Sequence, residues 1–273
     1  MAITVKPLDA PLGAEIIGLD ARNITAEDSK TIFDAFLKHH ILVLHDQHLS
    51  DAELVEFGKC FGDIEKSRVI SPLSGRDDIM VISNIREDGK PLGQLPDGEM
   101  SFHFDRIHQK KPCRAAALMA IEIPQEGGDT LFSNMVLAYK TLPDELKRKV
   151  DGRTALNTFT YGATAPDKRE GAGPQCEHPV VRTIPQTGEK SLYVCRLMTD
   201  QIYGLDAEES RRVIDALCDH AEDPRFVYTH KWKVGDIIVW DNRATMHART
   251  DFSENERRLM KRVTIGDDQP PML

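Results

Sequence analysis

The chain has 273 residues, of which 40% are apolar, and a formal net charge of −9. This length and apolar content allow a large core, and β-barrels of this size often form one domain, so we expect a single domain over residues 1–273. The acidic charge argues against nucleic acid, which binds through cations that contact phosphate. No stretch resembles a membrane span or a secretory signal, so we expect no membrane partner and cytoplasmic residence.

The five cysteines are odd in number and none follows Cys-X-X-Cys spacing. Neither a disulfide framework nor a zinc knuckle is therefore indicated, and we expect free thiols or small buried residues. These cysteines are Cys60, Cys113, Cys176, Cys195 and Cys218.

The first elements along the chain are short strands and two capped helices. Thr25 with Asp28, and Ser50 with Glu53, have capping-box spacing and predict two helix starts. A third helix is predicted at 206–220 from its apolar periodicity. Runs of β-forming residues predict the strands 3–8, 14–18, 41–44, 79–83, 114–121, 191–195, 226–232, 236–240 and 259–265.

Strands spread through the whole chain predict a mainly β fold with flanking helices. The architecture that fits is a double-stranded β-helix, a cupin-like jelly roll whose open mouth holds a metal. Two irregular segments rich in Gly and Pro, 85–100 and 162–179, are too long for simple turns. We interpret both as lid loops that cover a substrate, and for 162–179 a mobile loop without a catalytic role is the alternative.

A split metal-ligand pattern dominates the chemistry of the sequence. His103 and Asp105 are two positions apart, so on a β-strand both side chains project from the same face, and His247 follows far downstream. Two imidazoles and one carboxylate can hold a non-haem iron on one face and leave the other coordination positions open. The same ligands can also bind zinc with a catalytic water, so the pattern alone leaves both metals open.

Two arginines close to the end of the chain add a possible anion site. Arg258 and Arg262 are four positions apart in an apparent strand, so they share a face and can line the same cavity as the metal. Arginine grips carboxylates with two N–H groups, so two inward arginines suit two organic anions. Arg257 and Lys261 have the opposite parity and are interpreted as a solvated face.

With these residues the chain resembles the family of taurine dioxygenase and the phenoxyacetate herbicide dioxygenases, which use Fe(II) and 2-oxoglutarate. The resemblance runs from Ile3 to Pro270. Its motifs occur in family order: Gly-Ala-Glu-Ile-Ile-Gly-Leu-Asp, His-His-Ile-Leu-Val-Leu-His-Asp-Gln, Phe-Gly-Asp-Ile-Glu, His-Phe-Asp, Gly-Gly-Asp-Thr-Leu-Phe, Trp-Asp-Asn-Arg and the run from Arg258 to Arg262.

The resemblance assigns expected roles to individual residues. It implies that His103, Asp105 and His247 bind Fe(II), and that Thr130 and Arg258 hold the distal carboxylate of the cosubstrate 2-oxoglutarate. Arg262 matches the position that meets the anionic group of the substrate, and Trp240 matches an aromatic wall of the iron pocket, although a core role fits it equally. The implied reaction consumes O2, releases succinate and carbon dioxide, and hydroxylates or thereby cleaves the substrate.

The substrate-facing positions depart from the taurine enzyme. Glu99 stands where that enzyme has a neutral amide, and Met198 replaces an aromatic residue. The segment directly after Phe61-Gly62, Asp-Ile-Glu-Lys-Ser-Arg, lacks the histidine that the taurine enzyme has there. These departures argue against taurine and favour a bulkier anion, such as a phenoxyalkanoate. Arg262 by itself does not distinguish a carboxylate from a sulfonate, sulfate or phosphonate. Homo-oligomers are common among such enzymes, but no interface is marked in the sequence.

A hypothesis from another class is a jelly-roll metal-dependent hydrolase with zinc in the same ligands, or a small-molecule binding protein without oxygenase activity. The second arginine and Thr130 argue against the hydrolase, because a simple zinc hydrolase needs no site for a diacid.

Overall fold

A seven-stranded sheet and a four-stranded sheet, both mainly antiparallel, form the body of the protein, and smaller sheets of two or three strands accompany them. The computed structural model describes residues 3–67, 69–94, 98–160 and 173–272. Its strands are β1 Thr4–Pro7, β2 Ala14–Ile17, β3 Ile41–Leu44, β4 Met80–Ser83, β5 Arg86–Glu87, β6 Lys90–Pro91, β7 Met100–His103, β8 Ala115–Glu122, β9 Thr130–Asn134, β10 Thr154–Thr158, β11 Gln175–Pro179, β12 Val181–Thr183, β13 Lys190–Leu192, β14 Thr199–Ile202, β15 Val227–His230, β16 Ile237–Asp241, β17 Thr245–Arg249 and β18 Leu259–Ile265. Its helices are α1 Ala26–His39, α2 Asp51–Gly58, α3 Met135–Thr141, α4 Asp144–Val150 and α5 Ala207–Ala221, with short 3-10 helices at Lys59–Phe61 and Pro224–Phe226.

The helix starts confirm the capping prediction. The side chains of Thr25 and Ser50 each accept a hydrogen bond from the backbone N–H three residues on. The carboxylates of Asp28 and Glu53 in turn accept from the backbone N–H groups of Thr25 and Ser50. Both reciprocal pairs satisfy backbone N–H groups that a helix start leaves without an intrahelical partner. Asp206 caps α5 in the same way through the N–H of Glu209.

The larger sheet has the strand order β1-β2-β3-β16-β8-β18-β4, and the smaller one has the order β15-β9-β17-β7. The interior strand β8 borders two cores, because its side chains alternate between the two faces of the sheet. Ala115, Ala117 and Met119 belong to a buried cluster with α1 and α2. Ala116, Leu118 and Ala120 belong to a second cluster that includes Phe132 of the smaller sheet. Alternate side chains of a strand point to opposite faces, so this pattern packs helices outside and the second sheet inside, as in a jelly roll. The predicted fold class is confirmed.

The two predicted lid segments contain regular structure. In the first, Arg86–Glu87 pairs with Lys90–Pro91 in a short hairpin, and β7 starts at Met100. In the second, Gln175–Pro179 pairs along its length with β10, so the prediction of an irregular segment is wrong there. Pairing with β10 gives this backbone ladder hydrogen bonds, and these outweigh the low strand propensity of its polar residues. Residues 95–97 and 162–172 lie outside the described residues, and the lid role stays a prediction.

Two further expectations concern the cysteines and the membrane. All five cysteines are free, and Cys113, Cys195 and Cys218 are buried. Within the described ranges, no helix combines the length and apolarity that a membrane span requires.

Candidate active site

The two histidines of the predicted triad lie on neighbouring strands of the smaller sheet. His103 is the last residue of β7 and lies directly opposite His247 of β17 in the strand register. Asp105 lies in the turn after β7, so the prediction that His103 and Asp105 share one strand is wrong. The chain bends there because Arg106 adopts a left-handed conformation with φ of 57°. The turn nevertheless brings the carboxylate towards both imidazoles.

The three side chains form a compact buried cluster. The Nε2 atoms of His103 and His247 lie 3.9 Å and 3.7 Å from the two carboxylate oxygens of Asp105. One potential ligand atom from each residue lies within 4.8 Å of the others. His103 is 7% exposed, Asp105 8% and His247 9%, so these side chains would shield a bound ion from bulk solvent. Among the described residues, this is the single cluster of its kind.

The electrostatic state of the cluster suits a metal cation. Burial lowers the pKa of His103, and burial together with the neighbouring His103 lowers the pKa of His247 to about 3. Both rings are therefore neutral at neutral pH and offer a lone pair. Burial by itself would raise the pKa of Asp105, but the Arg262 guanidinium beside it holds that pKa lowered, to about 2. Two neutral imidazoles and one ionised carboxylate fit Fe(II).

Arg262 contacts Asp105 directly. Its Nη1 and Nη2 donate to the two carboxylate oxygens at 3.1 Å and 2.8 Å, and its guanidinium carbon lies 5.4 Å from the centroid of the Trp240 ring. The bidentate contact fixes the orientation of the carboxylate. A guanidinium has five N–H donors, so three remain for another anion. The contact with Asp105 was not foreseen from the sequence, and the substrate-binding role of Arg262 stays a prediction.

The Asn242 side chain holds the backbone around Asp105 through hydrogen bonds. Its Oδ1 accepts from the Asp105 N–H at 2.8 Å, and its Nδ2 donates to the carbonyl oxygens of Asp105 and Cys113, both at 3.0 Å. The side chain is fully buried. Asn242 lies in the Trp-Asp-Asn-Arg motif, yet the sequence analysis assigned it no role. The motif itself was the available signal.

Asn242→Ala is expected to weaken Fe(II) binding by about 10-fold to 100-fold, the usual cost of removing the support behind a metal ligand. The substitution leaves three buried backbone groups without their partner, so Asp105 loses its fixed position. Fe(II) affinity of folded protein, measured by anaerobic titration, checks this result.

Asn134→Ala is the matched control, because Asn134 is also buried and makes two backbone hydrogen bonds, to Pro11 and Leu137, away from the metal cluster. It should lower the melting temperature while Fe(II) affinity stays unchanged. Equal losses of Fe(II) affinity in the two variants would show that Asn242 supports only the fold.

Thr130 and Arg258 are a second group of buried polar residues, close to the glycine pair Gly127 and Gly128. Thr130 is the first residue of β9 and lies opposite Arg249 of β17, and it is 4% exposed. The indole Nε1 of Trp232 donates to Thr130 Oγ1 at 2.9 Å. Because an indole N–H is only a donor, the hydroxyl proton of Thr130 remains available for an anion. The sequence analysis did not identify Trp232, which is distant from Thr130 along the chain.

Arg258 is held close to the glycine pair that precedes Thr130. Its Nη2 lies 3.4 Å from the carbonyl oxygen of Gly128, and it is 2% exposed. Burial and the nearby Arg249 lower the pKa of Arg258 to about 9, which leaves the guanidinium charged at neutral pH. Gly128 has φ of 67°, and a Cβ there would approach Arg258 Nε to 3.2 Å. Glycine at this position therefore gives the arginine its space.

The parity prediction for the last strand is largely confirmed. Arg258 and Arg262 are buried, whereas the Arg257 side chain is 63% exposed and pairs with Glu122. Lys261 differs from the expectation of a solvated residue, because its side chain is only 19% exposed. It forms an ion pair with Asp51 at the start of α2, and the packing of α2 on β18 covers its methylene groups.

The remaining predicted positions fall in different environments. Trp240 is buried, with its ring centroid 4.9 Å from that of His247, so it is both a core residue and a wall of the metal cluster. Met198 is 5% exposed and belongs to a buried cluster that also contains Phe104. Glu99 is exposed, directly before β7. The substrate-binding roles of Met198 and Glu99 stay predictions.

A jelly roll with a buried cluster of two histidines and one carboxylate is typical of non-haem iron enzymes. Comparison with known proteins defines the class further. A model of the family described as taurine catabolism dioxygenase TauD, TfdA family, matches residues 4–264. The chain therefore belongs to the TauD/TfdA family, which confirms the resemblance seen in the sequence.

Individual relatives agree with this assignment. Pentalenolactone F synthase of Streptomyces arenae is 33% identical over 99% of this chain and 97% of its own. The alpha-ketoglutarate-dependent 2,4-dichlorophenoxyacetate dioxygenase of Cupriavidus pinatubonensis is 30% identical over 98% of this chain and 99% of its own. The crystal structure of a taurine dioxygenase from Burkholderia xenovorans matches with a TM-score of 0.84 and 32% identity, covering 99% of this chain and 91% of its own.

The protein is thus an Fe(II)-dependent and 2-oxoglutarate-dependent dioxygenase, an oxidoreductase that uses O2. Alpha-ketoglutarate is another name for the same cosubstrate. The comparisons support this hypothesis and give no support to the hydrolase or binding-protein alternative.

Proposed function

We propose that His103, Asp105 and His247 hold the Fe(II), and that Thr130 and Arg258 hold the distal carboxylate of 2-oxoglutarate. The observation that carries the proposal is the buried triad, with ligand atoms within 4.8 Å of one another. Three protein ligands would leave coordination positions of Fe(II) available for 2-oxoglutarate and O2. The domain is proposed to span residues 1–273 as one unit.

Bound Fe(II) would allow O2 to oxidise 2-oxoglutarate: one oxygen atom would enter succinate with release of carbon dioxide, and the other would hydroxylate a C–H bond of the substrate. The residues of the chain hold and orient the reactants. Arg262 and Asn242 fix the carboxylate and the backbone of Asp105. Trp240 packs beside His247 and helps to keep water from the ligand set.

The substrate is proposed to be a small organic anion whose carboxylate, sulfonate or related group meets Arg262. Support comes from the buried position of this cation beside the triad and from the names of relatives, which include a 2,4-dichlorophenoxyacetate dioxygenase and a taurine dioxygenase. The departures at Glu99 and Met198 favour a bulkier anion than taurine. Cytoplasmic residence and homo-oligomerisation stay predictions.

Anaerobic addition of Fe(II) and then 2-oxoglutarate to metal-free protein tests the function. We expect the visible metal-to-ligand charge-transfer band of a bidentate 2-oxo acid complex. Phenoxyacetate and taurine, added separately, then test the substrate class, because a bound substrate changes the surroundings of the iron and shifts the band. A larger shift with phenoxyacetate is expected. Iron binding without a band would contradict the cosubstrate site, and a shift with neither anion would contradict the proposed substrate class.

A further inference from the structure

Arg249 lies in the same strand as the ligand His247 and two residues beyond it, so the two side chains leave β17 on the same face. In the strand register its partner is Thr130. It is 8% exposed. A charged residue is seldom buried to this degree unless it has an ionic or hydrogen-bonding role. The Arg249 side chain therefore lies on the face of the smaller sheet that carries His247 and Thr130, and not at a solvent-exposed face.

Arg249 and Arg258 both lie next to the aromatic ring of Phe252. Their guanidinium carbons lie 5.4 Å and 5.8 Å from the centroid of Phe252. The two charges are close enough for Arg249 to contribute to the lowered pKa of Arg258, and Asp129 offsets part of this effect. Two buried like charges repel more strongly than they would in water, because the protein interior screens them less. A carboxylate bound within reach of both guanidiniums would be attracted by both charges.

We propose that Arg249 is a second cation for the distal carboxylate of 2-oxoglutarate, beside Arg258 and Thr130. This inference rests on the proposed cosubstrate site and deepens it. A carboxylate has two oxygens with about four acceptor positions, so it can accept N–H donors from two guanidiniums and the Thr130 hydroxyl together. Two cations at one carboxylate make the site strongly selective for a 2-oxo acid that carries a second carboxylate, over a 2-oxo acid that ends in a methyl group.

Arg249 also has a structural contact that the test must separate from this role. Its Nη2 donates to the carbonyl oxygen of Gly98 at 2.5 Å, close before β7 and His103. A residue that only holds this segment would affect every 2-oxo acid equally. A residue that binds the distal carboxylate would affect only the diacid.

The experiment is an anaerobic titration of Fe(II)-loaded protein with 2-oxoglutarate and with 2-oxovalerate, which has the same carbon number without the distal carboxylate. Arg249→Gln is expected to weaken 2-oxoglutarate binding by about 10-fold to 100-fold, as expected for losing a charge-assisted hydrogen bond. Binding of 2-oxovalerate should change less than about twofold, because no interaction with it is lost. Arg249→Lys keeps the charge and should recover part of the 2-oxoglutarate affinity.

Arg257→Gln is the matched control, since it removes the same charge from an exposed position, and it should leave both affinities unchanged. Equal weakening of both 2-oxo acids by Arg249→Gln, or no weakening of 2-oxoglutarate, would overturn the inference. Arg258→Gln, measured in parallel, distinguishes the two failures. If Arg258→Gln weakens 2-oxoglutarate and Arg249→Gln does not, only this inference fails. If neither variant changes 2-oxoglutarate binding, the proposed cosubstrate site fails as well.

Discussion

Asp105→Asn is expected to abolish stoichiometric Fe(II) binding and, with it, the formation of succinate. The amide is neutral, so the cluster keeps its two imidazoles but loses the anionic ligand that completes the set. Anaerobic Fe(II) titration and a succinate assay with 2-oxoglutarate measure the two effects. Retained turnover at the wild-type level would remove Asp105 from the ligand set.

Loss of stability is the alternative explanation that a control must separate from loss of the metal. Asp105 and Asp241 are both buried carboxylates held by two hydrogen bonds from an arginine, Arg262 and Arg243 respectively. Breaking such a buried pair costs roughly 3–5 kcal/mol, so both Asp→Asn variants should lower the melting temperature. Only Asp105→Asn is expected to lose Fe(II). If Asp241→Asn loses Fe(II) to the same extent, the effect arises from the fold and not from ligation.

Arg258→Gln is expected to weaken 2-oxoglutarate binding by about 30-fold or more while Fe(II) affinity stays within twofold, since losing one partner of a buried charge pair costs at least about 2 kcal/mol. Arg258 is buried beside the carbonyl of Gly128, two residues before the buried Thr130. Titration of the charge-transfer band gives the cosubstrate affinity, and Fe(II) titration gives the metal affinity.

The neighbouring Arg257 provides a control of identical chemistry. Its side chain is 63% exposed and pairs with Glu122, so Arg257→Gln should change neither affinity. If Arg258→Gln and Arg257→Gln are indistinguishable, Arg258 does not bind the cosubstrate. A parallel loss of Fe(II) in Arg258→Gln alone would instead indicate that this arginine supports the metal cluster.

Local sequence signals predicted many of the helix starts and strands. The capping boxes at Thr25 and Ser50 depend on residues three positions apart, so the start of each helix follows from the local sequence. The parity of β18 likewise separated the buried Arg258 from the exposed Arg257. The triad combined a local pair with a distant His247, and the family resemblance supplied the link.

Local periodicity and motifs kept in order were enough to predict the class of fold, the enzyme family and the residue types proposed for the metal and the cosubstrate. How those residues meet depends on the packing of distant segments. Three contacts join segments far apart in the chain. They are those of Asn242 with Asp105, of Trp232 with Thr130 and of Arg249 with its register partner Thr130. Strand register and the turn after β7 set these contacts, and non-local packing, which no single segment encodes, fixes both.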